Sequence, residues 1–182
     1  MSAAAIRRAG AADVPALHRL VEGAYRGDSA RGGWTHEADL LGGQRTDEAA
    51  LAAMLADSAE RMLLAEEAGA AVGCVAVRDL GGGAAYLGML TVEPGRQTGG
   101  LGTRLLRAAE ADALARGLGR MEMTVIGRRA ELIAWYERRG YRRTGERRPF
   151  PLDDPRFGLP RTRDLDFAVL ERVLEQERNE SV

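Results

Sequence analysis

The sequence predicts one α/β domain whose mixed central sheet of about six to seven strands is flanked by about four helices. Its 182 residues are the length of one globular domain. Helix-like and strand-like hydrophobic periods alternate along the chain, and neither a repeat nor a change in composition marks a linker. We therefore assign residues 1–182 to a single domain, with a polar tail at about residues 175–182.

The first third of the chain predicts a short strand and two helices. After a strand within residues 4–9, Asp13 is placed to cap a helix over residues 14–25. Its apolar side chains recur at three- and four-residue spacing and form one buried stripe. Residues 26–46 contain five glycines and several charges, which is typical of a functional loop. Asp47 then caps a second helix that ends near residue 55.

From residue 61 onward the pattern predicts a three-strand meander and then alternating helices and strands. We expect strands at residues 62–65, 71–77, 84–92, 121–126, 141–147 and 166–170, and helices at residues 101–116 and 128–139. Pro94 ends the third strand of the meander, because proline cannot donate to a sheet ladder. Gly140 ends the last helix.

Composition and charge exclude several functions. All 26 basic residues are arginines, so a lysine-containing phosphate loop, a lysine Schiff base and a lysine base are excluded. The net charge of −1 gives no reason to expect nucleic acid or a membrane surface as a partner. Without a signal peptide or a membrane-length apolar run, we expect a cytoplasmic protein. Cys74 is the only cysteine, so we expect neither a disulfide nor a cysteine zinc site, and no metal.

A glycine-rich turn between a strand and a helix is the first chemical motif. Within residues 92–103, glycines allow close approach of a ligand, and the helix N-terminus attracts an anion such as a pyrophosphate. Residues 99–102 alone are equally compatible with a tight turn that binds nothing. A dinucleotide-binding fold is disfavoured, because the third glycine is missing and the preceding strands form hairpins.

Two separate motifs carry a family resemblance. The first is the strand Leu90-Thr91-Val92-Glu93-Pro94 followed by Gln97-Thr98-Gly99-Gly100-Leu101-Gly102, and the second is Ala134-Trp135-Tyr136-Glu137-Arg138-Arg139-Gly140-Tyr141. Together they resemble the GNAT superfamily of acyl-coenzyme A N-acetyltransferases, over roughly residues 4–147 and in the family's element order. Residues 33–47 resemble a bacterial GNAT subgroup of unassigned substrate.

The resemblance implies acetyl-coenzyme A as co-substrate. Main-chain groups of Leu90 and Val92 would pair with the pantetheine arm like an added strand, and the following loop amides would bind the pyrophosphate. The predicted coenzyme contacts are Leu90, Thr91, Val92, Gln97, Thr98, Gly99, Gly100, Leu101, Gly102, Thr103 and Tyr136. Arg96 and Arg104 flank the loop and either contact phosphates or are solvated.

Tyr136 matches the family position of a tyrosine near the thioether sulfur. The departing thiolate needs a proton, which Tyr136 can supply, and the oxyanion needs a donor such as a strand N–H. The alternative for Tyr136 is an aromatic packed beside Trp135 in the core. Two positions depart from the family: Gly88 stands where many members have a glutamate base, and Arg129 falls near a frequent asparagine.

A base must therefore come from elsewhere, or none is needed. We consider His36, whose ordinary pKa is about 6.5, together with Glu37 and, on a strand, Glu122. Positioning of an already neutral amine against the thioester is the alternative.

Candidate acceptor contacts lie in the early loop and near the C-terminus. Tyr25, Trp34 and Asp39 suit an amine, whereas Arg45 suits a substrate carboxylate and hence an amino-acid-like amine. Residues 150–163 either border the acceptor pocket or form a homodimer contact. Six arginines favour a solvated face, with some help toward the coenzyme 3′-phosphate, over nucleic-acid binding; they are Arg138, Arg139, Arg142, Arg143, Arg147 and Arg148.

The sequence thus predicts direct transfer of an acetyl group from acetyl-coenzyme A to a primary amine of a small molecule. An acyl-coenzyme A sensor without catalysis is an alternative, motivated by Gly88. Acetylation of a protein N-terminus or lysine is another.

Overall fold

A seven-stranded mixed sheet is the centre of the computed structural model, which describes residues 4–26, 30–33 and 37–175. The strands are β1 (Ala5–Arg8), β2 (Leu41–Gly42), β3 (Glu60–Glu67), β4 (Ala70–Gly81), β5 (Ala84–Val92), β6 (Arg120–Ile126), β7 (Arg142–Pro149), β8 (Leu159–Pro160) and β9 (Asp166–Val173). We number the described α-helices α1 (Val14–Tyr25), α2 (Glu48–Ala56), α3 (Leu101–Ala115) and α4 (Ala130–Glu137).

The sheet has the strand order β1-β3-β4-β5-β6-β9-β7. Neighbouring strands run antiparallel except β5 and β6, which are parallel and connected through α3. A parallel pair needs such a crossover, whereas the hairpins on either side need only short turns. The predicted α/β class, strand number and helix number are confirmed.

Both faces of the sheet are buried, since alternate side chains of a strand point to opposite sides. Met62, Leu64, Cys74 and Ala76 pack with α1 and α2 on one face. On the other face, the alternate strand side chains pack against α3 and α4. The strands contribute Leu63, Ala65, Val75 and Val77, and the helices contribute Leu105, Leu106 and Ile133. Residues 71–77 of β4 are therefore continuously apolar and do not alternate between apolar and polar residues.

The ends of β5 and β6 separate, and this separation forms the site. The two strands pair only from Ala84 to Tyr86 with Arg120 to Glu122. A bulge then bends β5, because the register with β4 shifts by one residue between Gly88 and Thr91. Met89 lies in this bulge with φ of 52°, a backbone conformation that costs a non-glycine residue about 1 kcal/mol. The β5 residues beyond it face an opening instead of a neighbouring strand.

A small second sheet, absent from the sequence prediction, closes one side of this opening. Strands β2 and β8 pair through Leu41 with Pro160 and Gly42 with Leu159. Arg161 reinforces the contact by donating to the Ala38 carbonyl at 3.0 Å. This attaches the loop after β7 to the loop after α1. Two-residue strands leave no periodic pattern, so the sequence could not predict them.

The two predicted helix caps have different outcomes. Asp47 caps α2, since its carboxylate accepts the Ala50 amide at 2.7 Å. Asp13 stands at the predicted N-cap position of α1, but its side chain makes no capping hydrogen bond to that helix. A 3₁₀ turn already contains Asp13, and its carboxylate instead binds Arg7 and the Gly10 amide, each at 2.8 Å.

In the described part of the chain, no helix combines the length and apolarity needed to cross a membrane. Among the same residues, no group of three His, Cys, Asp or Glu side chains is arranged to hold a metal ion.

Candidate active site

Two cavities meet at the opening between β5 and β6. The first has a volume of about 430 Å³ and lies between the end of β5, the start of α3 and α4. The second has a volume of about 320 Å³ and lies toward α1, β6 and the loop after β7. The residues that line both cavities are Tyr25, Leu90, Arg129, Leu132 and Tyr136. We call the place where these residues meet the junction.

The main chain of β5 forms one wall of the first cavity. The Glu93 amide donates to the Val72 carbonyl of β4 at 3.0 Å. Because the main-chain groups of successive strand residues point to opposite edges, the N–H and C=O of Val92 point away from β4 and into the opening. The Val92 carbonyl there accepts a hydrogen bond of 3.3 Å from Gln97 Nε2. An extended ligand can add to this edge as a strand does.

The N-terminus of α3 forms the end of the first cavity. Gly100 immediately precedes the helix with φ of 79°, a conformation that only glycine adopts at low cost, and as the N-cap residue it has no side chain to cap the helix. Gly100, Gly102 and Thr103 line the cavity. A helix start without a side-chain cap carries partial positive charge and amide donors, so it is suited to a phosphate.

Two arginines from the end of α4 add positive charge to the same cavity. Arg138 and Arg139 line it. The Arg139 guanidinium stacks on the Trp135 ring at 3.6 Å and donates to Thr103 Oγ1 at 2.9 and 3.1 Å. These contacts fix a guanidinium beside the first turn of α3.

Tyr136 lies at the junction. Its ring is buried and packs edge-on against Trp135 and Tyr141, with ring centroids 5.0 and 5.7 Å away. Among the described residues, no hydrogen-bond partner of its hydroxyl is found. Burial raises the pKa of Tyr136 above its ordinary value, so the phenol is neutral near pH 7 and able to donate.

A buried ion-pair network supports the junction from the side of the second cavity. Glu37 accepts from Arg26 at 2.8 Å and from Arg129 at 3.1 Å. Burial disfavours its charge, but the neighbouring Arg129, Arg45 and Arg26 outweigh that penalty, so the pKa of Glu37 lies below its ordinary value. A carboxylate in this state is a weak proton acceptor.

The second cavity combines polar and aromatic walls. The Tyr86 and Thr124 hydroxyls are 2.6 Å apart on adjacent strands. Glu60 lines the cavity and accepts from Arg78 at 3.0 Å, and burial raises the pKa of this carboxyl. The loop after β7 adds Phe150 and Phe157.

The comparisons with known proteins agree with this geometry. The model of the acetyltransferase (GNAT) family matches residues 20–141. The chain belongs to the GNAT acetyltransferase family. No match was found among curated protein sequences.

Solved GNAT structures share the fold. The Escherichia coli ribosomal-protein-S18-alanine N-acetyltransferase is 16% identical with a TM-score of 0.69, over 98% of this chain and 99% of that one. The Salmonella typhimurium protein yncA, solved with its cofactor acetyl-CoA, is 21% identical with a TM-score of 0.71, over 96% of each chain. The Brucella melitensis ribosomal-protein-alanine N-acetyltransferase is 22% identical with a TM-score of 0.69, over 93% and 99%. At these identities the likeness concerns the fold.

The GNAT fold brings most of the predicted coenzyme contacts together. The predicted residues that line the first cavity are Leu90, Thr91, Val92, Gln97, Thr98, Gly100, Gly102, Thr103 and Tyr136. Gly99 is exposed outside it, and Leu101 is buried in the core under α3. Arg96 pairs with Glu93 and Glu67, and Arg104 binds the Ala4 carbonyl, so neither lines the cavity.

The predicted acceptor and base residues have more varied positions. Tyr25, Glu37 and Arg45 line the second cavity, whereas Asp39 is exposed outside it beside Arg31, at 3.3 Å. Trp34 and His36 lie outside the described residues, so both stay predictions. Glu122 is held by Arg148 at 2.8 Å.

Sequence reasoning missed Glu60 and the pairing role of Arg129. Glu60 opens a strand and has no motif around it. Arg129 joins Glu37 across 92 residues of sequence, a contact that no local pattern predicts.

Proposed function

We propose that this GNAT protein transfers an acetyl group directly from acetyl-coenzyme A to the primary amine of a small molecule. The observation that carries the proposal is the meeting of two cavities at the buried hydroxyl-bearing residue Tyr136. One cavity has the features of a coenzyme site and the other those of an acceptor site. The coenzyme supplies an acetyl group activated as a thioester.

The first cavity fits coenzyme A in three ways. The outward main-chain groups of Val92 suit the amides of a pantetheine arm. The start of α3 suits the pyrophosphate, and Gly100 leaves open space there, since a Cβ on it would meet nothing within 4 Å. Arg138 and Arg139 supply cationic donors for the phosphates, in place of Arg96 and Arg104.

We assign to Tyr136, at the junction, the role of general acid that protonates the departing thiolate. Its raised pKa keeps the proton available at working pH. We assign the stabilisation of the developing oxyanion to main-chain N–H groups at the bulge of Met89 and Leu90, where β5 turns toward the opening.

The acceptor amine needs no strong base in this arrangement. Gly88 provides no carboxylate, and Glu37 is occupied by two arginines. We therefore propose that the amine enters in its neutral form, and that the proton its nitrogen loses after attack on the thioester replaces the one that Tyr136 donates to the thiolate. Glu37 then holds Arg129 in place instead of accepting a proton. Positioning against the thioester then supplies much of the acceleration.

The test is release of coenzyme A from acetyl-coenzyme A across amino acids, polyamines, aminoglycosides and short peptides. A Tyr136→Phe variant should lose more than about tenfold in kcat, about 1.4 kcal/mol of barrier, while it retains coenzyme binding. Tyr141→Phe is the matched control, because the Tyr141 hydroxyl bonds Glu110 at 3.0 Å and lies outside both cavities. Equal kcat in Tyr136→Phe and wild type would remove the assignment.

The same panel separates the alternatives. Coenzyme binding with no turnover of any amine would replace catalysis by a sensor function, and preference for peptides over free amines would favour protein acetylation. The cytoplasmic location and the homodimer stay predictions from the sequence.

A further inference from the structure

We propose that the acceptor is an α-amino acid with a bulky apolar side chain, and that Arg45 binds its carboxylate. This inference rests on the proposed acetyl transfer and specifies its acceptor. Four features of the second cavity support this proposal. They are its positive charge, an Arg45 guanidinium that is not bound to Glu37, the contact of Arg45 with Tyr25 at the junction, and an aromatic wall.

Positive charge exceeds negative charge on the α1 side of the second cavity. Three arginines, Arg26, Arg45 and Arg129, act on the Glu37 carboxylate. A second carboxylate nearby, Glu22, accepts hydrogen bonds from the main-chain amides of residues 45 and 46. Within the described part of this region, three arginines thus face two carboxylates, and a carboxylate on the ligand would balance the charge.

Arg45 differs from the other two arginines because it makes no hydrogen bond or ion pair to Glu37. Arg26 and Arg129 are buried and both bind Glu37, whereas Arg45 is half-buried and lines the cavity. Its guanidinium lies over the Tyr25 ring at 5.3 Å, and no hydrogen bond or ion pair of its side chain is found among the described residues. A stacked guanidinium is oriented in advance, and its fork of N–H groups matches a carboxylate.

The contact of Arg45 with Tyr25 at the junction suits one kind of amine. The Arg45 guanidinium stacks on the Tyr25 ring, and the Tyr25 hydroxyl donates to the Leu90 carbonyl at 2.8 Å. The Arg45 guanidinium and the Leu90 carbonyl therefore both contact the same side chain. An α-amino acid can then place its carboxylate on Arg45 and its amine at the junction.

An aromatic wall defines the side chain of this amino acid. Phe150 packs against Phe167 and Phe157 with ring centroids 5.1 and 6.4 Å away, and all three line the second cavity. Val125 and Ile126 extend this apolar surface. Small or charged side chains would leave it unfilled or bury a charge against it.

The experiment compares phenylalanine and leucine with glycine, phenylalaninamide and phenethylamine in coenzyme A release. Compared at equal concentrations of neutral amine, phenylalanine should exceed phenylalaninamide by about 100-fold in kcat/KM, because a charged hydrogen-bonded pair is lost in the amide. Arg45→Gln should remove that difference, because it should raise KM for phenylalanine far more than KM for phenylalaninamide. Arg142→Gln, which removes an exposed arginine on β7 outside both cavities, is the matched control and should retain the preference.

The outcomes distinguish this inference from the proposed function. Turnover of amines with no preference for a carboxylate, or a preference that persists in Arg45→Gln, would overturn the inference and leave acetyl transfer intact. Coenzyme binding without turnover of any amine would instead overturn the proposed function. Calorimetry of phenylalanine with wild type and Arg45→Gln adds a readout independent of turnover: binding that is equal in both would contradict the role of Arg45.

Discussion

The hydroxyl of Tyr25 donates a hydrogen bond of 2.8 Å to the main-chain carbonyl of Leu90, and so joins the last residue of α1 to the bulged strand β5. Both residues line both cavities. The bond therefore holds the wall between the two cavities at a fixed position. Burial raises the pKa of Tyr25, which keeps this donor protonated.

Replacing Tyr25 by phenylalanine should loosen this wall without removing the ring that Arg45 stacks on. We expect the free energy of unfolding to fall by about 1 kcal/mol, because a partly buried carbonyl loses its donor. We also expect kcat to fall several-fold while the preference for carboxylate-bearing amines is retained. Chemical denaturation and kinetics with two amines measure these effects. Loss of the carboxylate preference would show that the hydroxyl itself contacts the acceptor.

Replacing Gly100 by alanine tests the turn that positions the start of α3. Its φ of 79° costs a residue with a Cβ about 1 kcal/mol, and the added methyl group also enters the space assigned to the pyrophosphate. We expect about 1 kcal/mol lower stability and weaker binding of coenzyme A. The control is Gly119→Ala, since Gly119 has open space around it and no left-handed backbone. Unchanged coenzyme affinity in Gly100→Ala would contradict the pyrophosphate assignment.

Arg139→Gln should weaken coenzyme A binding by about tenfold, since the variant loses a cation from the cavity that we assign to the coenzyme phosphates. The structure separates Arg139, which stacks in the cavity, from Arg96, which pairs with Glu93 and Glu67 outside it. Arg96→Gln should therefore bind coenzyme A like wild type. Titration calorimetry at two salt concentrations measures both variants. Equal weakening by the two substitutions would argue for a diffuse charge effect instead of a built site.

The pH profile tests the protonation state of Tyr136. Because its pKa is raised above the ordinary value of 10.0, the phenol stays protonated at pH values where a free tyrosine ionises. We expect kcat/KM to rise as the acceptor amine loses its proton and to show no fall up to about pH 10. A descending limb with a midpoint below that pH in wild type, absent from Tyr136→Phe, would contradict the assignment.

The parts of the fold predicted from sequence are those with a local signal. Periodicity predicted the helices and strands, and the glycine run with Pro94 predicted the turn before α3, because its unusual backbone requires glycine at residue 100. Tyr136 was predicted as a site residue because it lies within the motif of residues 134–141. Each of these features depends on residues close together in the chain.

The rest depends on contacts distant in sequence. Glu37 has the composition of a candidate base, but Arg26 and Arg129 surround it only after folding, and they lower its pKa. The same holds for Arg139, whose position over Trp135 distinguishes it from the neighbouring arginines of a charge-rich segment. The attachment of Gly42 to Leu159 through β2 and β8 is equally invisible to periodicity.

Acetyl transfer between the two cavities is tested by initial-velocity kinetics in which acetyl-coenzyme A and the best acceptor amine are varied together. Direct transfer requires both cavities to be filled at once, so double-reciprocal plots should intersect, and mass spectrometry should find no acetylated enzyme when the acceptor is omitted. Parallel plots with an acetylated enzyme, or no transfer to any amine, would contradict the account.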